Sequence, residues 1–241
     1  KSFFKNKSRF YFNISFIYLL NKTVKYIIDR QVNYQDILTK KLQKYFTDPN
    51  MFFFNHGRGG FYFLLKHFKN KSKKKVLINS LTLFEMVNMI IYAGYDPVFV
   101  DNKKNSFETN TVHLIDKFSE ELSFVVVTHL NGINKEIFDI KDKIEQINKT
   151  RDKNNRIYLI EDVAVGLGAK FNDVYTGSIG DFSILSFNIM KNITSLTGGA
   201  LIDNHKVLKI DKFAENKLRV SFFDIVKKIS FVSLLQFLNS R

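Results

Sequence analysis

Three short segments carry residue types whose spacing could do chemistry. In Leu159–Lys170 (LIEDVAVGLGAK), Glu161 and Asp162 close an apolar run that begins at Ile157. A carboxylate at the carboxyl end of a buried strand stands where α/β sheets bind ligands. Neighbouring strand residues point to opposite faces, so these two are not an acid–base dyad. One must face a site while the other supports the sheet. In Gly180–Lys191 (GDFSILSFNIMK), Ser183 and Ser186 lie on a strand-like run and Lys191 follows it, beside Ile189 and Met190. A neutral lysine amine in apolar surroundings can form a Schiff base with a carbonyl. In Asn55–Gly60 (NHGRGG), glycines open the apolar helix-like run Phe61–Phe68. Backbone N–H groups at a helix start, with the helix dipole behind them, suit an anion. The spacing matches neither the P-loop nor the dinucleotide fingerprint. A fourth segment, Thr197–Ala200 (TGGA), allows a tight turn and close backbone approach. Taken singly, each has a plainer reading: a turn, a surface acid, one more lysine.

The elements that must position these residues are legible from periodicity. Val76–Ser80, Asp96–Asp101, Ser123–Leu130, Ile157–Ala164, Ser183–Phe187 and Ala200–Asp203 read as strands, several of them buried on both faces. Between them, Phe84–Ala93, Thr111–Leu122 and Glu136–Arg151 have helical spacing, the first closed by Gly94. Alternating strands and helices predict an α/β fold, three-layer αβα with a mostly parallel sheet. Residues 1–49 read as a basic, aromatic N-terminal helical arm, with helical spacing over Tyr34–Phe46. Residues 50–205 form the large domain, and 206–241 read as two further helices, Val207–Leu218 and Phe222–Leu238.

Composition narrows the classes. The 241 residues hold no Cys, so disulfide frameworks and Cys-ligated metal sites are excluded. The 26 Phe and 10 Tyr supply apolar surface enough to exclude disorder. Five scattered His make no metal motif, and no metal site is expected. The formal charge of +14 admits a nucleic-acid or anionic-membrane surface. The one dense run, Lys69–Lys75, reads more simply as a solvated loop between a helix and a strand. No run reaches the roughly 18 apolar residues of a membrane span. Phe10–Leu20 is too short and contains Asn13. The expectation is a cytoplasmic protein without a transmembrane segment or nucleic-acid partner.

In order and spacing, HGRGG, NSLTLF, GYDPVFVD, VTHLNG, IEDVA and SFNIMKNITSLTGGAL resemble the DegT/StrS family of pyridoxal-phosphate-dependent sugar aminotransferases. The resemblance spans about Asn55 to Asp203. It implies the aspartate-aminotransferase-like fold and pyridoxal 5'-phosphate as cofactor. It also implies transfer of an amino group from an amino acid, glutamate in most of the family, to a keto-sugar nucleotide. Lys191 matches the lysine that carries the cofactor and moves protons on it. Asp162 matches the partner of the pyridinium nitrogen. Ser186, with the amides of Arg58 and Gly59, matches the phosphate cradle, and His129 would lie near the cofactor or serve as a packing residue. A homodimer is implied, as is a C-terminal small domain of which 206–241 would be only the beginning, so the chain is expected to be a truncated or fragmentary member. Three positions depart from the pattern. Val165 replaces a Gln, Asn79 a Pro, and Leu83 an aromatic residue that stacks on the ring. Val165, Leu83 and the missing C-terminal domain motivate the alternative of a degenerate relative acting as a subunit or sugar-nucleotide binder. Lys191 itself argues against the family's dehydratase branch, where a His replaces it.

Overall fold

The computed structural model describes residues 33–68, 72–189, 191–195 and 197–208, with isolated positions 17, 18, 21, 24, 25, 227 and 230. Phe10–Leu20, Lys69–Lys71 and the two C-terminal helices read from the sequence lie largely or wholly outside them, as does Met190.

In chain order the elements are α1 (Tyr34–Leu42), β1 (Asn50–Phe54), α2 (Gly57–His67), β2 (Lys75–Asn79), α3 (Phe84–Tyr92), β3 (Asp96–Val100) and α4 (Thr111–Asp116). There follow β4 (Leu122–Thr128), α5 (Ile137–Asn148), β5 (Tyr158–Asp162), β6 (Lys170–Phe171), β7 (Val174–Tyr175), β8 (Phe182–Ser186) and β9 (Gly199–Asp203). Seven strands form one sheet in the order β1-β9-β8-β5-β4-β2-β3, while β6 and β7 make a small hairpin. The central strands run parallel, and β9 is antiparallel to both β1 and β8.

Side-chain alternation builds the layers. Val76, Ile78, Phe124, Val126, Ile160, Phe182, Ile184 and Leu201 face α2 and α3, where Phe61, Leu64, Leu65, Met86 and Ile90 meet them. Their sequence neighbours Leu77, Val125, Val127 and Leu159 face α4 and α5, against Leu114, Ile137, Ile140 and Ile144. Farther along that second face, Leu185, Ala200 and Ile202 are covered by Leu42 of α1 and by Phe46 beyond it. Burying both faces is what made β4 and β5 read as continuous apolar runs.

Several elements differ from expectation, among them the β6–β7 hairpin, which the sequence reading lacks, and α1, which stops at Leu42 short of Phe46. The helix expected over Thr111–Leu122 ends at Asp116, because Leu122 is drawn into the ladder opposite Lys75. The turn between is held by the Arg151 guanidinium, which donates to the Leu122 and Ser119 carbonyls at 2.7 and 2.8 Å. β1 has no counterpart in the sequence reading. Its aromatic run pairs along β9 and is half-buried throughout, so it lacks the alternation that marks a strand. Of the lysine run, Ser72–Lys74 form a loop and Lys75 opens β2, and its described lysines are engaged. Lys73 pairs with Glu120, Lys75 with Glu121, and Lys74 lies over the Tyr95 ring.

Candidate active site

Strand parity decides which side chains share a cleft. Even-numbered residues of β5 and β8 face α2 and α3, so Asp162 and Ser186, each the last residue of its strand, emerge on that face. There α2 and α3 both begin, and a cleft of about 290 Å³ opens. Arg58 and Gly57 line it from the start of α2, and Leu83, Glu85 and Met86 from the start of α3. Asn188, Ile189 and Lys191 line it from the turn after β8. Residues 133 positions apart, Arg58 and Lys191, thus border one space.

The start of α2 is seated by close backbone approach. A Cβ on Gly57 would stand 2.7 Å from the Leu185 carbonyl oxygen, and one on Gly199 would stand 2.5 Å from Gly57 Cα. The TGGA segment supplies this seat. Gly198, at φ +108°, donates its N–H to the Asn55 carbonyl at 2.8 Å, and the Thr197 hydroxyl donates to the same oxygen at 3.0 Å. A parallel bridge joins His56 to Gly198 at this seat, and the N–H of Arg58, the second residue of α2, needs no intrahelical acceptor. Gly59 does not line the cleft, and its N–H donates to the His56 carbonyl at 3.0 Å. Of the two residues expected to form the cradle, Arg58 borders the cleft and Gly59 does not.

Asp162 is nearly enclosed, and the Ala164 N–H donates to its Oδ1 at 3.0 Å. Burial pushes its carboxyl above the usual aspartate range, opposed by the Ala164 N–H and by the charges of Lys191 and His129. Such a carboxylate gains strongly from a cationic or N–H partner.

Glu161 points the other way. Its carboxylate accepts the N–H groups of Gly177, Ile179 and Gly180 at 2.6–2.8 Å and contacts His129 Nε2 at 2.9 Å. His129 is fully buried in this network, beside the Phe171 ring. It shares parity with Val125 and Val127, on the face away from the cleft, and it touches Asp162 only through the backbone, His129 N–H to the Asp162 carbonyl at 2.9 Å. It does not line the cleft. Asn79, where the family has Pro, binds strand ends together. Its Nδ2 donates to Thr109 Oγ1 and its Oδ1 accepts from the Thr128 N–H.

Gly57, Glu85 and Asn188 line the cleft but were not singled out from the sequence. The parity of β4 excludes His129, and that of β5 and β8 keeps Asp162 and Ser186. Nothing so regular marks Glu85, which is placed by the first turn of α3.

The profile of the DegT/DnrJ/EryC1/StrS aminotransferase family matches residues 24–215. The chain belongs to this family. Among curated relatives, GDP-perosamine synthase of Escherichia coli O157:H7 is 30% identical over 134 residues, which are 56% of this chain and 35% of that protein. The UDP-4-amino-4,6-dideoxy-N-acetyl-beta-L-altrosamine transaminase of Campylobacter jejuni is 30% identical over 138 residues, with the same coverage. The matched stretch thus spans about a third of these relatives. Among solved structures, the apo form of the sugar aminotransferase family member Spr1654 from Streptococcus pneumoniae superposes with a TM-score of 0.71 at 21% identity, covering 92% of this chain and 55% of that one. The E. coli GDP-4-keto-6-deoxy-D-mannose-3-dehydratase with bound hydrated PLP gives 0.67 at 17% identity, covering 81% and 50%. The DegT fold expected from the sequence is the fold found, and it is shared by aminotransferase and dehydratase alike.

Proposed function

We propose that this chain is the cofactor-binding part of an aminotransferase that moves an amino group from an amino acid, glutamate by family precedent, to a keto-sugar nucleotide. The observation that carries the reading is the convergence of Lys191, Asp162, Ser186 and Arg58 on one cleft from three separate segments. Pyridoxal 5'-phosphate fits these residues. The start of α2, Arg58 and Ser186 would hold its phosphate. Asp162, whose buried carboxylate has no salt bridge among the described residues, would hold a proton on its ring nitrogen. When bound, the cofactor supplies the electron sink for removal of a proton from the donor amino acid. Lys191 would hold the cofactor covalently and, once displaced by the donor amine, carry that proton between carbon atoms.

His129 and Gly59 take indirect parts in this reading, His129 through Glu161 and Gly59 as an ordinary helix residue. Leu81, Leu83 and Phe84 are 47, 60 and 71% exposed beside the cleft, which supports a homodimer closing over it. Residues 50–205 would be the large domain, flanked by a helical arm and by the lead into a small domain. Among the described residues no helix is long and apolar enough to cross a membrane. We place the enzyme in the cytoplasm, a compartment that the absence of Cys fits.

The test is an absorption spectrum after incubation with pyridoxal phosphate and dialysis, with Lys191→Ala alongside. A visible Schiff-base band in the parent chain that is lost in the variant is expected. A band that survives the substitution refutes the assignment of Lys191.

A further inference from the structure

Glu85 lines the cleft, yet none of the roles above uses it. Its plainest explanation would be a helix cap. Thr82-x-x-Glu85 has the capping-box spacing, in which the Glu reaches back to the helix start. The structure does not make that box. The N-cap of α3 is Leu83, it forms no side-chain capping bond, and both Thr82 Oγ1 and Glu85 Oε2 are buried without a hydrogen-bond partner. The second explanation would be an ion pair. Arg58 and Lys191 border the same cleft, but among the described residues no salt bridge joins Glu85 to either.

A buried acceptor left unmade is costly, more so when charged. The cost is recovered when a donor enters the cleft, and the candidate occupants differ in what they offer. The cofactor's phosphate is an anion, and its ring proton faces Asp162. Glutamate brings one ammonium, which is drawn to the reacting centre, and two carboxylates, which a third carboxylate repels. A sugar brings hydroxyl donors and no negative charge on its ring.

Resting on the aminotransferase reading above, we infer that Glu85 is a specificity-determining residue that accepts a hydrogen bond from a hydroxyl of the acceptor sugar. It favours hydroxyl-rich acceptors over carboxylate-bearing keto acids.

The experiment compares wild type with Glu85→Gln and Glu85→Ala, each loaded with pyridoxal phosphate. Three quantities are read: the visible cofactor band, its bleaching by glutamate, and calorimetric affinity for GDP-perosamine and for the UDP-linked 4-amino sugar. In Glu85→Gln the band and the glutamate reaction should stay within about twofold of wild type. Affinity for at least one sugar nucleotide should fall roughly 10-fold, the scale of one hydrogen bond to a charged group, and further in Glu85→Ala. Unchanged sugar affinity overturns the inference, and so does a wild type that binds neither sugar nucleotide. A parallel loss of the band makes Glu85 a cofactor ligand and also overturns it. A wild type lacking the band refutes the aminotransferase reading separately, since a sugar affinity lost in Glu85→Gln would still support Glu85 as a sugar ligand.

Discussion

The glycines at the start of α2 give the sharpest test of how the cleft is built. Gly57 and Gly59 look alike in sequence but not in space. A Cβ on Gly57 would stand 2.7 Å from the Leu185 carbonyl oxygen and 3.3 Å from Ile184 Cγ2. Ordinary contact begins at about 3.4 Å, so the helix start must withdraw from β8 by roughly 0.7 Å, and neither obstacle is a mobile side-chain tip. Overpacking of this kind costs about 1–3 kcal/mol, or roughly 2–12 °C of melting temperature at this size. A ligand seat tolerates only about 0.5 Å of misplacement. Gly57→Ala should therefore weaken pyridoxal phosphate at least 10-fold while the protein still folds. A Cβ on Gly59 meets only Phe54, at 3.8 and 4.0 Å, which is ordinary contact. Gly59→Ala should leave cofactor affinity unchanged and raise the melting temperature slightly, since Ala is the better helix former by about 0.5–1 kcal/mol. The assays are a fluorescence titration with pyridoxal phosphate and thermal circular dichroism on the same samples. If Gly59→Ala loses the cofactor, or Gly57→Ala keeps it, the phosphate seat is not where the backbone geometry puts it.

Three further outcomes are expected. Asp162 binds its proton more tightly folded than unfolded, so its favourable contribution is full below the ordinary aspartate range and is lost as pH rises through the raised value. Asp162→Asn should accordingly raise the melting temperature of the cofactor-free protein at neutral pH, with the gap closing on acidification, while weakening the cofactor about 10-fold or more. Glu161→Gln sets an amide among three backbone donors and should cost about 3 kcal/mol, a melting temperature lower by roughly 6–12 °C, without moving the cofactor's absorption maximum in protein that remains folded. Leu83→Phe restores a ring at an exposed position of the cleft and should tighten the cofactor about 2- to 10-fold by titration.

The sheet was legible because β2, β4 and β5 are buried on both faces, and their apolar runs leave little choice of element. β1 escaped because an aromatic strand half-buried on both sides has no period to read. The site divides along the same line. Asp162 and Ser186 ride on strands, so two-residue parity carries them from sequence to cleft, and that parity sends Glu161 and His129 to the opposite face. Gly57 and Glu85 are fixed by where two helices begin relative to β8, a distance that no local pattern encodes. Gly199 shows why. What it excludes is a clash with Gly57, 142 residues earlier, and only the antiparallel return of β9 brings the two glycines together. The residues expected to do the chemistry can therefore be read from strand ends. Those proposed to set how closely a cofactor or sugar is held depend on tertiary contacts, and this is where Leu83 and Glu85 both fall.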